Sequence, residues 1–146
     1  MMNIEFNIRE KPLDPDLFDG IAKKIADRLG HSVDNGNYKK TYGVGRTQIR
    51  RLYDEVKRFE QKLDGTDETW KEHYPFFRMI KSKLSYTIAR AKEKAKDSDT
   101  ANGYKNLSEF ITKGINQVEN EENYRVFAAL FEAVYGFYYE NAPKEN

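Results

Sequence analysis

Seven basic residues stand close together in one short segment, where their side chains could bind phosphate. Between residues 75 and 96 they face a single acid, Glu93, so the segment has a net charge of +6 in a protein whose formal net charge is +1. Arginine and lysine form their strongest hydrogen bonds with anionic oxygens. Positive charge segregated in this way indicates a polyanionic partner such as a nucleic acid. The seven residues are Arg78, Lys81, Lys83, Arg90, Lys92, Lys94 and Lys96.

A second group of cations precedes this segment. Between residues 35 and 53 there are five basic residues and no acid, with Tyr38 and Tyr42 among them. Cations beside aromatic rings suit the backbone and the bases of a nucleic acid. A solvated flexible loop over residues 31–46 explains the same pattern, so both interpretations of that segment stay open. The five basic residues are Lys39, Lys40, Arg46, Arg50 and Arg51.

No group of residues predicts catalysis. Residues 43–45 (GVG) lack the third glycine of a dinucleotide-binding turn, and residues 39–41 (KKT) lack the glycine that precedes the lysine of a phosphate-binding loop. Residues 97–108 resemble a calcium loop, but their glycine is one place late and no carboxylate occupies the last ligand position. His31 and His73 have no second metal ligand near them in sequence. We therefore predict no enzyme, catalytic residue, cofactor, metal site or small-molecule substrate.

Length and composition predict a single cytoplasmic domain over residues 1–146. A chain of this length can bury a core without disulfides, and it contains no cysteine. Its first residues lack the apolar run of a secretory signal, and no eighteen apolar residues occur in succession. We therefore expect no membrane segment.

Apolar residues at helical spacing predict an all-α fold. We expect a single-domain bundle of about five helices with a long basic loop between the first and second helices. Alternating Ile4, Phe6 and Ile8 predict an extended N-terminal arm over residues 1–13, in preference to a strand without a partner. The five helices are expected at residues 14–29, 47–63, 75–96, 107–118 and from residue 120 onward, with capping residues Asp14, Thr47 and Asn120.

Helical geometry divides the basic residues between two edges of the third helix. One edge is expected to carry Lys83, Arg90 and Lys94 beside Met79 and Tyr86, and the other Arg78, Lys81, Lys92 and Lys96. In the second helix, Arg46, Arg50 and Lys57 are expected to flank the apolar stripe, while Arg51 and Arg58 point away from it.

Two of these helices carry short motifs that resemble a known family. Residues 47–53 (TQIRRLY) and 83–90 (KLSYTIAR), followed by the aromatic stretch 131–139, are similar to the small subunit of the type III-A CRISPR effector, the Csm complex. That family has T-x-[IL]-R-[KR]-[FL]-Y, then K-[LV]-x-Y-x-x-[GA]-R, then an aromatic carboxy-terminal helix. The resemblance covers residues 14–140, and Ala89 stands where glycine is common.

The resemblance implies a non-catalytic helical subunit that functions in antiviral defence. Several copies would line the groove that holds the duplex of crRNA and target RNA, in contact with one another and with neighbouring Csm subunits. Matching motif positions imply phosphate contacts from Arg50, Arg51, Lys83 and Arg90, with base pairing supplying sequence specificity. Further RNA-binding candidates are Lys39, Lys40, Arg46, Lys57, Lys81 and Lys94, together with Tyr86, which either stacks on a base or ribose or packs at the bundle edge.

Two other functions compete with RNA binding. The first is a structural spacer that contacts only proteins and whose assembly depends on the aromatic carboxy-terminal helix. The second is a helical DNA-binding regulator, which requires a tight helix-turn-helix. The long loop expected before Thr47 argues against the regulator.

Overall fold

The computed structural model describes residues 2–36, 38–140 and 142–143, except for the side chains of Asp34, Asn35, Tyr38 and Lys39. In this part of the chain, five helices surround one core and a two-stranded antiparallel sheet joins the first helix to the second. The predicted all-α class is confirmed, with this small sheet as an addition. Helix α1 begins as a π-helical turn at Leu17–Ile21 and continues over Ala22–Asp27, followed by β1 at Gly30–Asn35, β2 at Tyr38–Gly43, α2 at Arg46–Glu60, α3 at Asp67–Glu93, α4 at Ser98–Asn116 and α5 at Glu121–Tyr139.

Helix α3, which carries the basic segment, is longer than predicted. It begins at Asp67 and not at Pro75, and it ends at Glu93. Its start is set by Thr66, whose side-chain oxygen accepts a hydrogen bond from the Thr69 N–H at 3.3 Å. A threonine in this position satisfies one of the free N–H groups at a helix start.

Pro75 lies inside α3 and does not begin it. Proline removes one helical hydrogen bond and crowds the preceding turn. The helix continues through it because Trp70 before it and Phe77 after it are both buried, with ring centroids 5.5 Å apart. Packing on both sides of the proline therefore outweighs its local cost.

Capping residues set the starts of α4 and α5. Asp97 accepts a hydrogen bond from the Thr100 N–H at 2.7 Å, so α4 begins at Ser98 and the loop predicted before residue 107 is helical. The predicted cap of α5 is confirmed, because Asn120 accepts from the Asn123 N–H at 2.9 Å.

Two predicted caps at the other helix starts are wrong. In α1 the capping side chain is Asp16, which accepts from the Gly20 N–H at 3.1 Å, whereas Asp14 accepts from the Asp16 N–H at 2.9 Å in the turn before the helix. Helix α2 begins after Gly45, which has no capping side chain, and Thr47 lies inside the helix.

The segment predicted as a long basic loop is a β-hairpin. Strands β1 and β2 pair in antiparallel register from Gly30 opposite Gly43 to Asn35 opposite Tyr38. Gly36 follows β1 with φ at 73°, a backbone conformation that favours glycine in two-residue hairpin turns. Lys39 and Lys40 therefore stand on a paired strand, whereas Arg46 begins α2.

Helix α5 forms the centre of the core. Tyr124, Phe127, Leu130, Phe131 and Val134 have no exposed surface. Rings from α2, α3 and α4 pack against this helix with centroids about 5 to 6.5 Å apart. The broad apolar surface of α5 is thus buried mainly by helices of its own chain.

Helix α4 crosses the base of the hairpin at Gly103. A Cβ atom at this position would overlap the Leu29 carbonyl oxygen and lie 3.3 Å from the Gly43 Cα. The Tyr138 hydroxyl donates to the Val44 carbonyl oxygen at 2.7 Å and lies 3.2 Å from the Leu29 carbonyl oxygen. Burial raises the pKa of the Tyr138 hydroxyl, which stays protonated and able to donate.

The N-terminal segment is extended and lies along α4. Ile4, Phe6 and Ile8 are buried. Lys113 donates to the Ile4 carbonyl oxygen at 3.0 Å, and the Gln117 amide donates to the Phe6 carbonyl oxygen at 3.0 Å while accepting from the Ile8 N–H at 2.8 Å. Lys113 of α4 and Gln117, the residue directly after this helix, therefore satisfy part of the backbone of the arm.

Within the described ranges, no helix is both long and apolar enough to cross a bilayer. No group of three or more His, Asp or Glu residues in the same ranges is placed to hold a metal ion.

Candidate nucleic-acid interface

The two basic edges of α3 lie on opposite sides of its buried face. On the first edge, the Lys83 Nζ lies 3.9 Å from a Glu55 carboxylate oxygen of α2. On the second, the Lys81 Nζ donates to the Asn116 Oδ1 of α4 at 2.9 Å. Arg78, Lys81 and Asn116 line one surface cavity between the two helices. The first edge therefore faces α2 and the second faces α4.

An open groove with a volume of about 420 Å³ separates α2 from the first edge. Arg51 and Arg58 line it from α2, and Lys83 and Tyr86 line it from α3. Arg51 and Arg58, which were expected to point away from the apolar stripe of α2, are exposed and reach this groove. These side chains are long, and α3 packs on the flank of α2 that brings them to the groove.

Arg58 was missing from the predicted site residues. It follows Arg51 by seven residues, the same spacing that separates Lys83 from Arg90. Seven residues are close to two helical turns, so each helix presents two cations along one line. We call Arg51, Arg58, Lys83 and Arg90 the basic face.

Glu55 partly neutralises the basic face. Its carboxylate lies 3.9 Å from the Lys83 Nζ and 3.2 Å from the Arg58 Nη1. The Lys83 and Arg58 side chains are nevertheless 56% and 63% exposed. Exposed ion pairs of this kind contribute about 0 to 1 kcal/mol, so a phosphate can compete with Glu55 for both cations.

Tyr86 and Arg90 form a pair on the surface of α3. The Arg90 Nη1 donates to the Tyr86 hydroxyl oxygen at 3.0 Å, and the guanidinium lies 5.8 Å from the ring centroid. The tyrosine is 63% exposed, so it is not packed into the bundle. Its exposure leaves the ring accessible to a ligand, and stacking on a base or ribose stays a prediction.

Arg50 and Lys57 lie on the flank of α2 that faces α5. Lys57 pairs with Glu60 at 2.9 Å and with Glu132 at 3.8 Å. The hydrogen bond to Glu60 raises the pKa of the Lys57 ammonium above its ordinary value despite partial burial. Arg50 is exposed and, among the described residues, is not part of the groove lining. Neither residue joins Lys83 and Arg90.

Arg46 stabilises the end of α5. Its guanidinium lies 4.5 Å from the Tyr139 ring centroid and donates to the Tyr139 carbonyl oxygen at 3.2 Å. Its backbone N–H donates to the Pro143 carbonyl oxygen at 3.1 Å. These contacts hold Arg46 against the fold, although its Nε is buried without a hydrogen-bond partner among the described residues.

The remaining candidates lie near the hairpin. Lys40 is exposed, with its Nζ 5.1 Å from the Tyr42 ring centroid, whereas the side chain of Lys39 lies outside the described residues. Lys94 is exposed and lines a cavity of about 350 Å³ together with Gly43 at the end of β2. Lys94, directly after α3, therefore lies close to the end of the strand that carries Lys40.

The family model for Csm2 Type III-A matches residues 21–142, which include α2, α3, α4, α5 and the hairpin. The chain belongs to this family. The predicted resemblance is confirmed, and membership makes the chain a small subunit of a type III-A CRISPR complex, in company with other Csm subunits. Searches of curated proteins and of solved structures found no match.

Proposed function

We propose that this subunit binds RNA through phosphate contacts from the basic face. Several copies line the groove that holds the duplex of crRNA and target RNA, in the cytoplasm and in antiviral defence. The chain itself performs no catalysis under this proposal, and base pairing within the duplex supplies the sequence specificity.

The distribution of charge on α3 is the observation that carries this proposal. Between Glu72 and Glu93 the helix contains no acid, and its basic side chains are exposed. Like charges at helical spacing repel one another by a few tenths of a kcal/mol per pair. An RNA backbone relieves this repulsion, and cations that contact phosphates fix the position of a duplex without reading its sequence.

The contacts of the side chains rank the predicted RNA-binding residues. Arg51, Arg58 and Lys83 are main contacts because they are exposed along one open groove, and Arg90 joins them because it is exposed and hydrogen-bonded to Tyr86 of the groove lining. Exposed cations on neighbouring surfaces, Arg50, Lys40, Lys81 and Lys94, make peripheral contacts. Arg46 and Lys57 contribute least because their charges already have partners inside the fold.

Reversing two charges of the basic face tests the proposal. We expect the double variant Lys83→Glu, Arg90→Glu to bind RNA at least about tenfold more weakly, since a hydrogen bond to a charged group is worth about 1.5 to 3 kcal/mol. Fluorescence anisotropy with labelled single-stranded and duplex RNA over a series of salt concentrations measures this loss. The slope of log affinity against log salt should become shallower by about 0.7 per lost phosphate contact on the single strand.

The opposite edge of the same helix provides the control. The double variant Arg78→Glu, Lys92→Glu changes the net charge by the same amount, and both residues are exposed. We expect its RNA affinity to fall by less than about threefold, because only long-range electrostatic attraction is reduced. Equal losses in the two double variants would mean that only net charge matters, and no loss in either would favour the structural spacer.

Removing the counterion of the basic face should strengthen binding. We expect Glu55→Gln to raise RNA affinity by about threefold and to steepen the salt dependence, because exposed ion pairs are worth up to about 1 kcal/mol and two cations are released. Glu68→Gln, which removes an acid from the first turn of α3, is the matched control and should change affinity little. The same anisotropy titration distinguishes them, and an unchanged affinity in Glu55→Gln would show that phosphates do not reach this groove.

A further inference from the structure

Three large apolar side chains are exposed on α3 beside the basic face. Phe76, Met79 and Tyr86 are 57%, 51% and 63% exposed. Together with Lys83 and Arg90 they occupy positions three or four residues apart, which lie within about 80° of the helix circumference at 3.6 residues per turn. The five residues therefore form one line about 21 Å long on a single side of α3. We call this line the exposed stripe.

The composition of the exposed stripe favours RNA bases over a protein partner. The centres of protein interfaces are depleted of lysine. Here Lys83 lies in the middle of the line, and its side chain is 56% exposed. Alternation of rings with cations is the arrangement by which proteins bind single-stranded nucleic acid, because bases stack on the rings while cations follow the phosphates.

The Tyr86 ring is held in place before any ligand binds. Its hydroxyl accepts a hydrogen bond from Arg90 at 3.0 Å, so the ring and the guanidinium restrain each other. Ordering a side chain during binding costs affinity, and a ring that is already restrained avoids part of that cost. Tyr86 is therefore suited to stack on a base.

We propose that the exposed stripe binds unpaired bases of RNA, which stack on Phe76 and Tyr86 while Lys83 and Arg90 contact the adjacent phosphates. In a continuous duplex the faces of the bases are covered by neighbouring base pairs, so the rings act on nucleotides that are not paired. This inference rests on the proposed RNA binding and adds a preference for single-stranded segments.

An abasic strand separates stacking from charge. The probes are a labelled single-stranded RNA and a strand of the same length and charge without bases, titrated against the full-length protein by anisotropy. We expect the double variant Phe76→Ala, Tyr86→Ala to bind the normal strand at least about tenfold more weakly, because stacking contributes about 1 to 3 kcal/mol per base. On the abasic strand the same double variant should lose no more than about twofold in affinity. Tyr86→Phe keeps the ring and should retain most of the affinity for the normal strand.

Matched variants distinguish this inference from the proposed function. Phe137→Ala removes an aromatic residue that is 38% exposed on α5, and it should leave both affinities unchanged. If Lys83→Glu, Arg90→Glu weakens binding while the aromatic double variant does not, the stripe does not stack bases and the phosphate interface stands. Equal losses on normal and abasic strands, or intact RNA binding with weakened assembly into the Csm complex, would also overturn base stacking. A thermal melt of each variant ensures that folded proteins are compared.

Discussion

Gly103→Ala is expected to destabilise the protein by about 2 kcal/mol, although alanine is the better residue for a helix. Propensity alone favours alanine over glycine by about 1 kcal/mol in a helix interior. At this position the added Cβ would overlap the Leu29 carbonyl oxygen, so α4 and the hairpin must separate. Overpacking of this kind costs about 1 to 3 kcal/mol and occasionally more. Gly103→Val should therefore destabilise the protein more than Gly103→Ala does. Urea denaturation measures the difference.

Gly136 provides a control at which substitution by alanine should raise the stability of the protein. It lies in α5, and a Cβ there meets no atom within 4 Å among the described residues. Gly136→Ala should therefore stabilise the protein by about 1 kcal/mol, the full gain in propensity. If Gly103→Ala proved as stable as the unmodified chain, the close approach of α4 to the hairpin would not exist as described.

The same junction shows why the hairpin was not predicted. A glycine-asparagine pair at residues 36–37, followed by a segment with two tyrosines and a threonine, is a recognisable hairpin signal. However, the contacts that hold the hairpin against the bundle come from Gly103 and Tyr138, far away in sequence. No local pattern identifies those partners. The composition of the segment alone is typical of a loop, and a loop was therefore predicted.

The start of α3 was predictable in part. Thr66 and the two acids after it form a start signal of the usual kind, and Pro75 forms another. Choosing between them requires knowing that Trp70 is buried on the same face as Phe77, which depends on the tertiary structure. Helix α5 has only one start signal, at Asn120, and there the prediction was confirmed.

For the candidate site, the division of α3 into two basic edges followed from helical spacing alone. In α2, Arg50 was predicted to flank the apolar stripe and to contact phosphate, but it is Arg51 that lines the groove beside α3. Which flank of α2 receives α3 is decided by core packing, and helical spacing within one element cannot supply that information. The ion pair between Glu55 and Lys83 reveals it.

Tyr124→Ala is expected to lower the free energy of unfolding by about 4 kcal/mol and to weaken RNA binding by loosening the groove. The ring lies 5.0 Å from Phe59 of α2 and 5.8 Å from Phe77 of α3, so it connects the two helices that form the groove. Truncating a buried aromatic residue costs about 3 to 5 kcal/mol, a large part of a typical total of 5 to 15 kcal/mol. Chemical denaturation gives the stability, and RNA anisotropy reports the interface.

Tyr124→Phe separates the ring from its hydroxyl. The hydroxyl donates to the Val56 carbonyl oxygen at 2.8 Å, and burial raises its pKa so that the proton is retained. Losing this single hydrogen bond should cost about 1 kcal/mol and leave RNA affinity unchanged, because the ring still fixes α2 against α3. Equal stability of the alanine and phenylalanine variants would mean that the ring does not hold the groove together. Tyr86→Ala, at a position of α3 that is 63% exposed, should change stability by no more than about 0.5 kcal/mol.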